Sequence, residues 1–130
     1  MIGWKKVRIY DSSGSWTYRS ALLKLDITGE VVRPDVGAEV FNDRGRYRRV
    51  LKMRTDKLKV LAAFRPHTNK PVVLKKGECF GSIKWDNSDY TYRVGAVQRP
   101  ANRFSKDPNK DCGAGLHFFL SRRHAENWGR

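Results

Sequence analysis

Apolar and polar residues alternate along much of the first half of the chain. Residues 4–10 follow this pattern, and Leu23, Leu25 and Ile27 repeat it at every second position. Alternation of this kind places one row of side chains on each face of a β-strand. We therefore predict strands over residues 4–10 and 17–27.

The middle of the chain breaks into shorter segments separated by turn signals. Residues 58–64 alternate and predict a strand. Residues 46–53 mix two spacings and fit a strand or a helix, with β-branched and aromatic side chains favouring the strand. The pair Thr55 and Asp56 predicts the cap of a single helical turn. Residues 80–85 and 90–94, joined by a four-residue turn, predict a hairpin.

The end of the chain predicts a strand followed by a helix. Residues 116–120 are an apolar run, and Ser121 is a favourable N-cap for a helix over residues 122–128. Ala125 and Trp128 are three positions apart, so both are expected to face the sheet. We predict an α+β fold, a mainly antiparallel β-sheet with a short C-terminal helix packed on it, in a single domain of residues 1–130.

Positive charge is concentrated in one segment. Between Arg44 and Lys76 the chain carries twelve basic side chains and one acid, Asp56, which gives +11 of the total formal charge of +14. A concentration of positive charge like this creates an electrostatic field that attracts phosphate groups. The predicted nucleic-acid-binding residues are Arg44, Arg46, Tyr47, Arg48, Arg49, Lys52, Arg54, Lys57, Lys59, Lys75 and Lys76. Tyr47 would stack on an unpaired base. Because no base-reading motif stands out, we expect sequence-independent contact with DNA or RNA.

The order of several short segments resembles a known family. The segments are residues 4–7, 54–61 and 92–95, together with a C-terminal run made of Cys112, Gly115, Leu116, His117, Phe118 and Phe119, and then Ala125 and Trp128. They resemble an uncharacterised domain found in phages, large DNA viruses and some bacteria, often attached to pentapeptide repeats. The resemblance covers most of the chain and implies a fold and a viral setting, but no reaction.

One enzyme class offers an alternative. Residues 115–119, with Ala125 and Trp128 downstream, are faintly similar to the second motif of ADP-ribosyltransferases, a glycine-led aromatic strand followed by a helix. That family carries its catalytic glutamate further along the chain, so Glu126 would have to replace it from within the helix. Triads, Walker loops and paired carboxylates do not stand out either. We therefore expect a protein that is not an enzyme, with no catalytic residue and no cofactor.

Cysteines and histidines raise the question of a metal. Cys79, Cys112, His117 and His124 are the residue types that bind zinc, but gaps of five and seven positions from Cys112 to His117 and from His117 to His124 match no common zinc pattern. We expect these residues to be structural, the two thiols to be free and the protein to hold no metal.

These observations predict a non-enzymatic basic binding module, a viral (phage) accessory or virion-associated protein that contacts nucleic acid or another polyanion through residues 44–76. The alternative is a structural component of a viral assembly whose basic face binds an acidic protein surface. The N-terminus lacks the apolar stretch of a signal peptide, and no window reaches the ~18 apolar residues of a membrane span. We therefore expect no membrane contact and a location in the host cytoplasm or the virion.

Overall fold

The structure, a computed structural model, describes residues 1–11, 16–34, 38–41, 47–83, 89–100, 104–107 and 115–128. These residues contain eleven strands and one helix, with only the backbone described at some strand ends. The elements are β1 (Ile2–Tyr10), β2 (Trp16–Ile27), β3 (Val31–Val32), β4 (Ala38–Phe41), β5 (Tyr47–Val50), β6 (Met53–Thr55), β7 (Leu58–Phe64), β8 (Cys79–Ile83), β9 (Asp89–Tyr92), β10 (Val97–Gln98), β11 (Leu116–Phe118) and α1 (Arg122–Asn127).

Six strands form the main antiparallel sheet, in the order β10-β7-β2-β1-β8-β9. Its centre is the long β1–β2 hairpin, in which Ile2 lies opposite Asp26. Leu23, Leu25 and Ile27 are all buried on one face, as their alternation predicts. The two strands predicted for this part of the chain are confirmed.

A side chain joins the first and last strands of this sheet. Strands β9 and β10 follow one another in the chain, separated by a turn in which Gly95 has a φ of 86°. The Gln98 side-chain oxygen accepts a hydrogen bond from the Arg93 N–H at 2.7 Å, and its amide group donates to the Thr91 C=O at 2.8 Å. The main sheet therefore curves until its two outer strands meet at Gln98.

The three-stranded sheet β11-β6-β3 packs on the inner face of the main sheet. Met53, Leu116 and Phe118 from this sheet join Leu25 and Val60 from the main sheet in one buried cluster. Burial of apolar surface between two sheets is the main stabilising contribution in a fold of this kind. The larger part of the core thus lies between the two sheets.

Backbone hydrogen bonds connect the two sheets at one point. Trp4 and Phe119 exchange two N–H to C=O hydrogen bonds, both of 2.8 Å. Beside them, a Cβ atom on Gly3 would lie 2.6 Å from the ring of Phe118. Glycine at this position therefore allows β11 to approach β1 closely.

Helix α1 covers the other face of the main sheet. Leu22, which alternates with the inward-facing leucines of β2, contacts Val50, Phe119 and Ala125 in a second buried cluster. Ser121 caps the helix, accepting a hydrogen bond from the His124 N–H at 3.4 Å. The predicted α+β class, mainly antiparallel sheet with one short C-terminal helix, is confirmed.

Three local predictions differ from the structure. Residues 46–53 do not form one element, because β5 pairs with β4 whereas β6 pairs with β3 and β11. No helical turn begins at Thr55, the last residue of β6, and the Asp56 carboxylate instead accepts a hydrogen bond from the Glu30 N–H at 2.7 Å. Trp128 is not buried with Ala125: it lies beyond the last helical residue and is 36% exposed.

Candidate polyanion-binding surface

Four of the predicted contact residues have exposed side chains. Arg49 lies on β5 and Lys59 on β7, whereas Lys75 and Lys76 lie in the turn that precedes β8. A 3.0 Å hydrogen bond from the Glu78 N–H to the Lys75 C=O closes that turn. The basic segment is therefore distributed over three elements of the fold.

Four further predicted contacts are described incompletely. Arg44 and Arg46 lie outside the described residues. The backbones of Tyr47 and Arg48 belong to β5, opposite β4, and their side chains are likewise outside what the structure describes. These four residues remain predictions from the sequence.

Arg54 is in the interior of the protein. Its side chain is fully buried, its Nε donates a hydrogen bond to the Ser105 C=O at 2.9 Å, and a second guanidinium nitrogen donates to the Asp107 C=O. A guanidinium group can bond two carbonyls at once because its donors form a rigid fork. Arg54 thus holds residues 104–107 against β6, and we remove it from the candidate surface.

Lys52 and Lys57 are half-buried. The Lys52 ammonium lies 4.9 Å from the centroid of the Trp128 ring, which is a cation–π contact. The Lys57 backbone C=O accepts a hydrogen bond from the Gly29 N–H at 2.9 Å. Both side chains are partly accessible, so both residues remain candidate contacts.

Lys5 adds positive charge near Lys52. Its ammonium donates a hydrogen bond to the His117 C=O at 3.2 Å and lies 5.9 Å from the centroid of the Tyr92 ring. Burial, together with repulsion from Lys52, lowers the pKa of Lys5 from 10.5 to about 8. The sequence carried a signal for this position, because Lys5 alternates with Val7 on the buried face of β1.

The single acid of the basic segment serves the fold. Asp56 is half-buried, and its carboxylate accepts a hydrogen bond from the Glu30 N–H in the connection between β2 and β3. Throughout the described ranges, the observed ion pairs leave Asp56 without a basic partner. The Asp56 carboxylate is therefore engaged by the backbone just before β3.

A cleft of about 570 Å³ lies between the end of the β1–β2 hairpin and the chain that follows β7. Arg19, Arg65 and Lys75 line it, and the described residues of its lining include no carboxylate. The hydroxyls of Ser20 and Thr68 are also present, and the apolar part is formed by one isoleucine, two prolines and two valines. The cleft combines three positive groups with apolar walls.

The loop that carries Arg65 is fixed from two sides. Within the loop, the Arg65 N–H donates a hydrogen bond to the Lys70 C=O at 2.9 Å. From helix α1, the Arg122 guanidinium donates to the side-chain oxygen of Asn69 at 2.9 Å and also to the Thr68 C=O. The position of this wall of the cleft thus depends on the C-terminal helix.

Glu126 makes the second connection between the helix and this loop. Its buried carboxylate accepts a hydrogen bond from the backbone N–H of His67, a residue with a φ of 63°. The same carboxylate lies 3.7 Å from Arg122 Nε and 3.7 Å from His67 Nδ1. The residue considered as a substitute catalytic glutamate is therefore engaged in holding the loop.

Arg19 and Arg65 line the cleft, although the sequence does not mark either as a site residue. Arg65 contributes to the charge of the segment, but it lies in a loop, where alternation gives no indication of side-chain direction. Arg19 comes from β2, and only the tertiary structure brings it to the same cleft. A local sequence pattern could not have linked the two.

The residues considered for zinc occupy separate elements. Cys79 is a half-buried free thiol in β8, His117 lies in β11 and His124 in α1, whereas Cys112 is outside the described residues. Where the chain is described, no three His, Cys, Asp or Glu side chains are grouped as a metal site would require.

Comparison with known proteins gives one finding. The model of a protein family of unknown function, DUF5758, matches residues 1–125. No curated protein and no solved structure is found to match the chain. In the part of the chain that the structure describes, no helix is long and apolar enough to cross a membrane.

Proposed function

The chain belongs to the family of unknown function DUF5758, and we propose that it is a non-enzymatic basic binding module that contacts nucleic acid or another polyanion through residues 44–76. The observation that carries the proposal is the set of exposed basic side chains in this segment. Arg49, Lys59, Lys75 and Lys76 are exposed, and within the described residues none of them forms an ion pair.

Exposed basic side chains favour binding to phosphates for a thermodynamic reason. A polyanion carries condensed counterions, and each basic side chain that replaces one of them releases it to solution. The chain's total charge of +14 also attracts a polyanion over distances of about a Debye length, ~8–10 Å at moderate salt. Contacts of this kind read the backbone of a nucleic acid and not its sequence.

The contact set follows from combining the sequence with the structure. It contains Arg49, Lys59, Lys75 and Lys76 as exposed residues, and Lys52 and Lys57 as half-buried ones. Arg44, Arg46, Tyr47 and Arg48 belong to it on sequence grounds. Arg54 is excluded because its guanidinium group is buried and hydrogen-bonded to backbone carbonyls inside the fold.

The setting we propose rests on the resemblance to phage and large-DNA-virus domains. The protein would be a viral accessory or virion-associated protein, located in the host cytoplasm or the virion, and its partner would be DNA or RNA. A distributed basic surface supplies affinity that is strong at low salt and tolerant of sequence.

The proposal is tested on untagged protein, purified before and after treatment with nuclease and high salt. We expect nucleic acid to co-purify, to raise the ultraviolet absorbance ratio of the preparation, and to be removed by both treatments. Fluorescence anisotropy with labelled DNA and RNA should then show affinity that falls with salt, with a log–log slope of about −0.9 for each duplex phosphate neutralised.

Two results would contradict the proposal. One is undetectable affinity for both DNA and RNA at low salt. The other is recovery of a protein partner at fixed stoichiometry without nucleic acid, which would indicate the structural alternative, a basic face docked on an acidic protein surface.

A further inference from the structure

The cleft beside Arg65 differs chemically from the rest of the basic surface. Arg65 and Lys75 face it without an ion-pair partner among the described residues, and Ser20 adds a hydroxyl group that can donate a hydrogen bond. The Thr68 hydroxyl instead donates to the Arg65 C=O at 2.9 Å. The third base, Arg19, is held in place by Glu78 through hydrogen bonds of 2.9 and 3.2 Å. Several donors that can bind a phosphate group therefore line the same cleft.

Glu78 organises this group of residues and is itself kept charged. Its carboxylate accepts a hydrogen bond from the Lys75 backbone N–H at 2.8 Å, and this bond, together with the bonds from Arg19, lowers the pKa of Glu78. One carboxylate thereby fixes both the turn that carries Lys75 and the side chain of Arg19. Since Glu78 supplies one negative charge against three bases, this group of residues keeps a net positive charge.

Part of the cleft wall is apolar. Pro66, Pro71, Val72 and Val73 supply this part from the chain after β7. Val73 is 80% exposed, so its side chain is accessible to a ligand. Apolar side chains beside a few polar groups are typical of small-molecule sites, and here they can contact the sugar and base that a nucleotide carries next to its phosphate.

The volume of the cleft limits what can enter. At about 570 Å³ it falls within the range of ~300–1,000 Å³ typical of sites for small molecules and cofactors. A duplex presents its phosphates on a convex surface with the bases stacked inside, so it can touch the rim but cannot place a base or sugar against the walls. An unpaired nucleotide can do both.

The cleft is also prearranged. The bridge between Phe64 and Pro71 and the hydrogen bond from the Val72 N–H to the Ala63 C=O, 3.0 Å long, continue the sheet into its wall. Helix α1 fixes the loop before it through the side chains of its first and fifth residues. A preformed site loses less conformational entropy on binding than a loop that must first become ordered.

We propose that this cleft seats one unpaired nucleotide, so that the protein binds single-stranded nucleic acid in preference to duplex. The inference rests on the proposed function and adds to it the form of nucleic acid. The phosphate lies between Arg65 and Lys75, and the sugar and base lie on the proline and valine wall. The exposed lysine and arginine side chains elsewhere in residues 44–76 then contact the strand on either side of this nucleotide.

The experiment compares one mixed-sequence strand of about 12 nucleotides with its own duplex, by anisotropy at the same salt concentration. We expect the strand to bind at least about tenfold more tightly, since the duplex cannot make the charged hydrogen bond in the cleft. Arg65→Gln and Lys75→Gln should each weaken binding of the strand by about tenfold and change duplex binding much less.

The matched control is Arg93→Gln. Arg93 is also exposed, but it lies in the turn between β9 and β10, beside the opposite end of β7. This variant should bind the strand and the duplex as the wild type does, apart from a small electrostatic loss. Thermal unfolding of all three variants shows whether each remains folded, as expected for exposed side chains.

Three outcomes separate this inference from the proposed function. If strand and duplex bind with equal affinity, and Arg65→Gln binds the strand as tightly as Arg93→Gln does, the proposed role of the cleft is overturned. The polyanion-binding function is not affected by that result. If a nucleoside monophosphate competes as effectively as the unlabelled strand, the cleft binds a free phosphorylated small molecule, and the proposal that it seats a nucleotide of a strand is overturned. Absence of binding to every probe overturns the proposed function itself.

Discussion

The carboxylate of Glu126 accepts a hydrogen bond from the backbone N–H of His67, a residue 59 positions earlier in the chain. Through this bond helix α1 holds the loop at His67, whose left-handed backbone conformation is uncommon for residues other than glycine. The interaction connects helix α1 to the wall of the cleft. Its removal should therefore affect both the stability of the protein and the position of that wall.

Replacing Glu126 with alanine should destabilise the protein. His67 would lose its acceptor and Arg122 its charged partner, and a lost hydrogen bond to a charged group typically costs about 1.5–3 kcal/mol. Urea denaturation measures the loss. Glu126→Gln is the matched control, because its amide oxygen still accepts from His67, and it should recover about half of the stability. An alanine variant as stable as the wild type would show that the bond is dispensable.

Arg54 and Arg49 should separate structure from binding. Arg54→Ala removes the donors that hold residues 104–107 and should cost at least about 2 kcal/mol of unfolding free energy. Arg49→Ala changes an exposed residue and should stay within about 0.5 kcal/mol of the wild type while weakening nucleic-acid binding. A stable Arg54→Ala protein with impaired binding would return Arg54 to the contact set.

Trp128 should contribute less to stability than a buried tryptophan does. Its ring contacts Phe119 at 6.3 Å between centroids and lies under Lys52, contributions of about 0.5–1.5 and 0.5–1 kcal/mol respectively. We therefore expect Trp128→Ala to lose about 1–2.5 kcal/mol. Phe119→Ala, at a buried position, should lose about 3–5 kcal/mol in the same denaturation experiment. The reverse order of the two losses would indicate that the helix end is packed differently.

Lys5 should make stability depend on pH in the alkaline range. Its pKa is about 8 in the folded protein and 10.5 in the unfolded chain, so between these values the unfolded chain binds more protons. The contribution of Lys5 to the unfolding free energy therefore rises as pH rises through this window, by up to about 3 kcal/mol before solvent screening reduces it. Below pH 8 the full cost of burying the charge is present.

The measurement is the difference in unfolding free energy between Lys5→Met and the wild type, followed from neutral pH to about 10.5. The methionine variant should be the more stable protein at neutral pH, with an advantage that shrinks as the wild-type lysine loses its proton. Lys52→Met should shift the transition to higher pH, since repulsion from Lys52 contributes to the low pKa. A difference independent of pH would mean that Lys5 keeps an ordinary pKa.

The basic residues in and just before β5 test whether binding is blind to sequence. Replacing Arg46, Arg48 and Arg49 with alanine should weaken binding to all nucleic-acid sequences alike. The log–log salt dependence should also become shallower, by about 0.9 for each duplex phosphate that the variant no longer neutralises. Anisotropy with several unrelated probes measures both effects. Weaker affinity for only one of the probes would indicate base-specific recognition.

Sequence reasoning succeeded where one element determines its own structure. The alternation of Leu23, Leu25 and Ile27 fixes which face of β2 is buried, and Ser121 caps its helix with its own hydroxyl. It failed where a partner far away in the chain decides. Strand β10 contains only Val97 and Gln98, and it is a strand because β7 lies beside it.

In the candidate site too, the features set by local sequence could be predicted, whereas those set by distant contacts could not. The charge of residues 44–76 is a property of composition, so the sequence reveals it directly. The burial of Arg54 depends on carbonyl groups of residues 104–107, and the cleft depends on β2 meeting the chain after β7. These relationships arise only when the sheet has formed.

The closure of the main sheet by Gln98 has a consequence for how this protein meets other molecules. An open strand edge exposes backbone groups that can recruit a strand from a second chain, which is a common route to aggregation. At the seam between β9 and β10, the Gln98 side chain occupies the Arg93 N–H and the Thr91 C=O that such a strand would use. An incoming chain is thus kept from extending the sheet there, so at this seam another molecule can be contacted only through side chains.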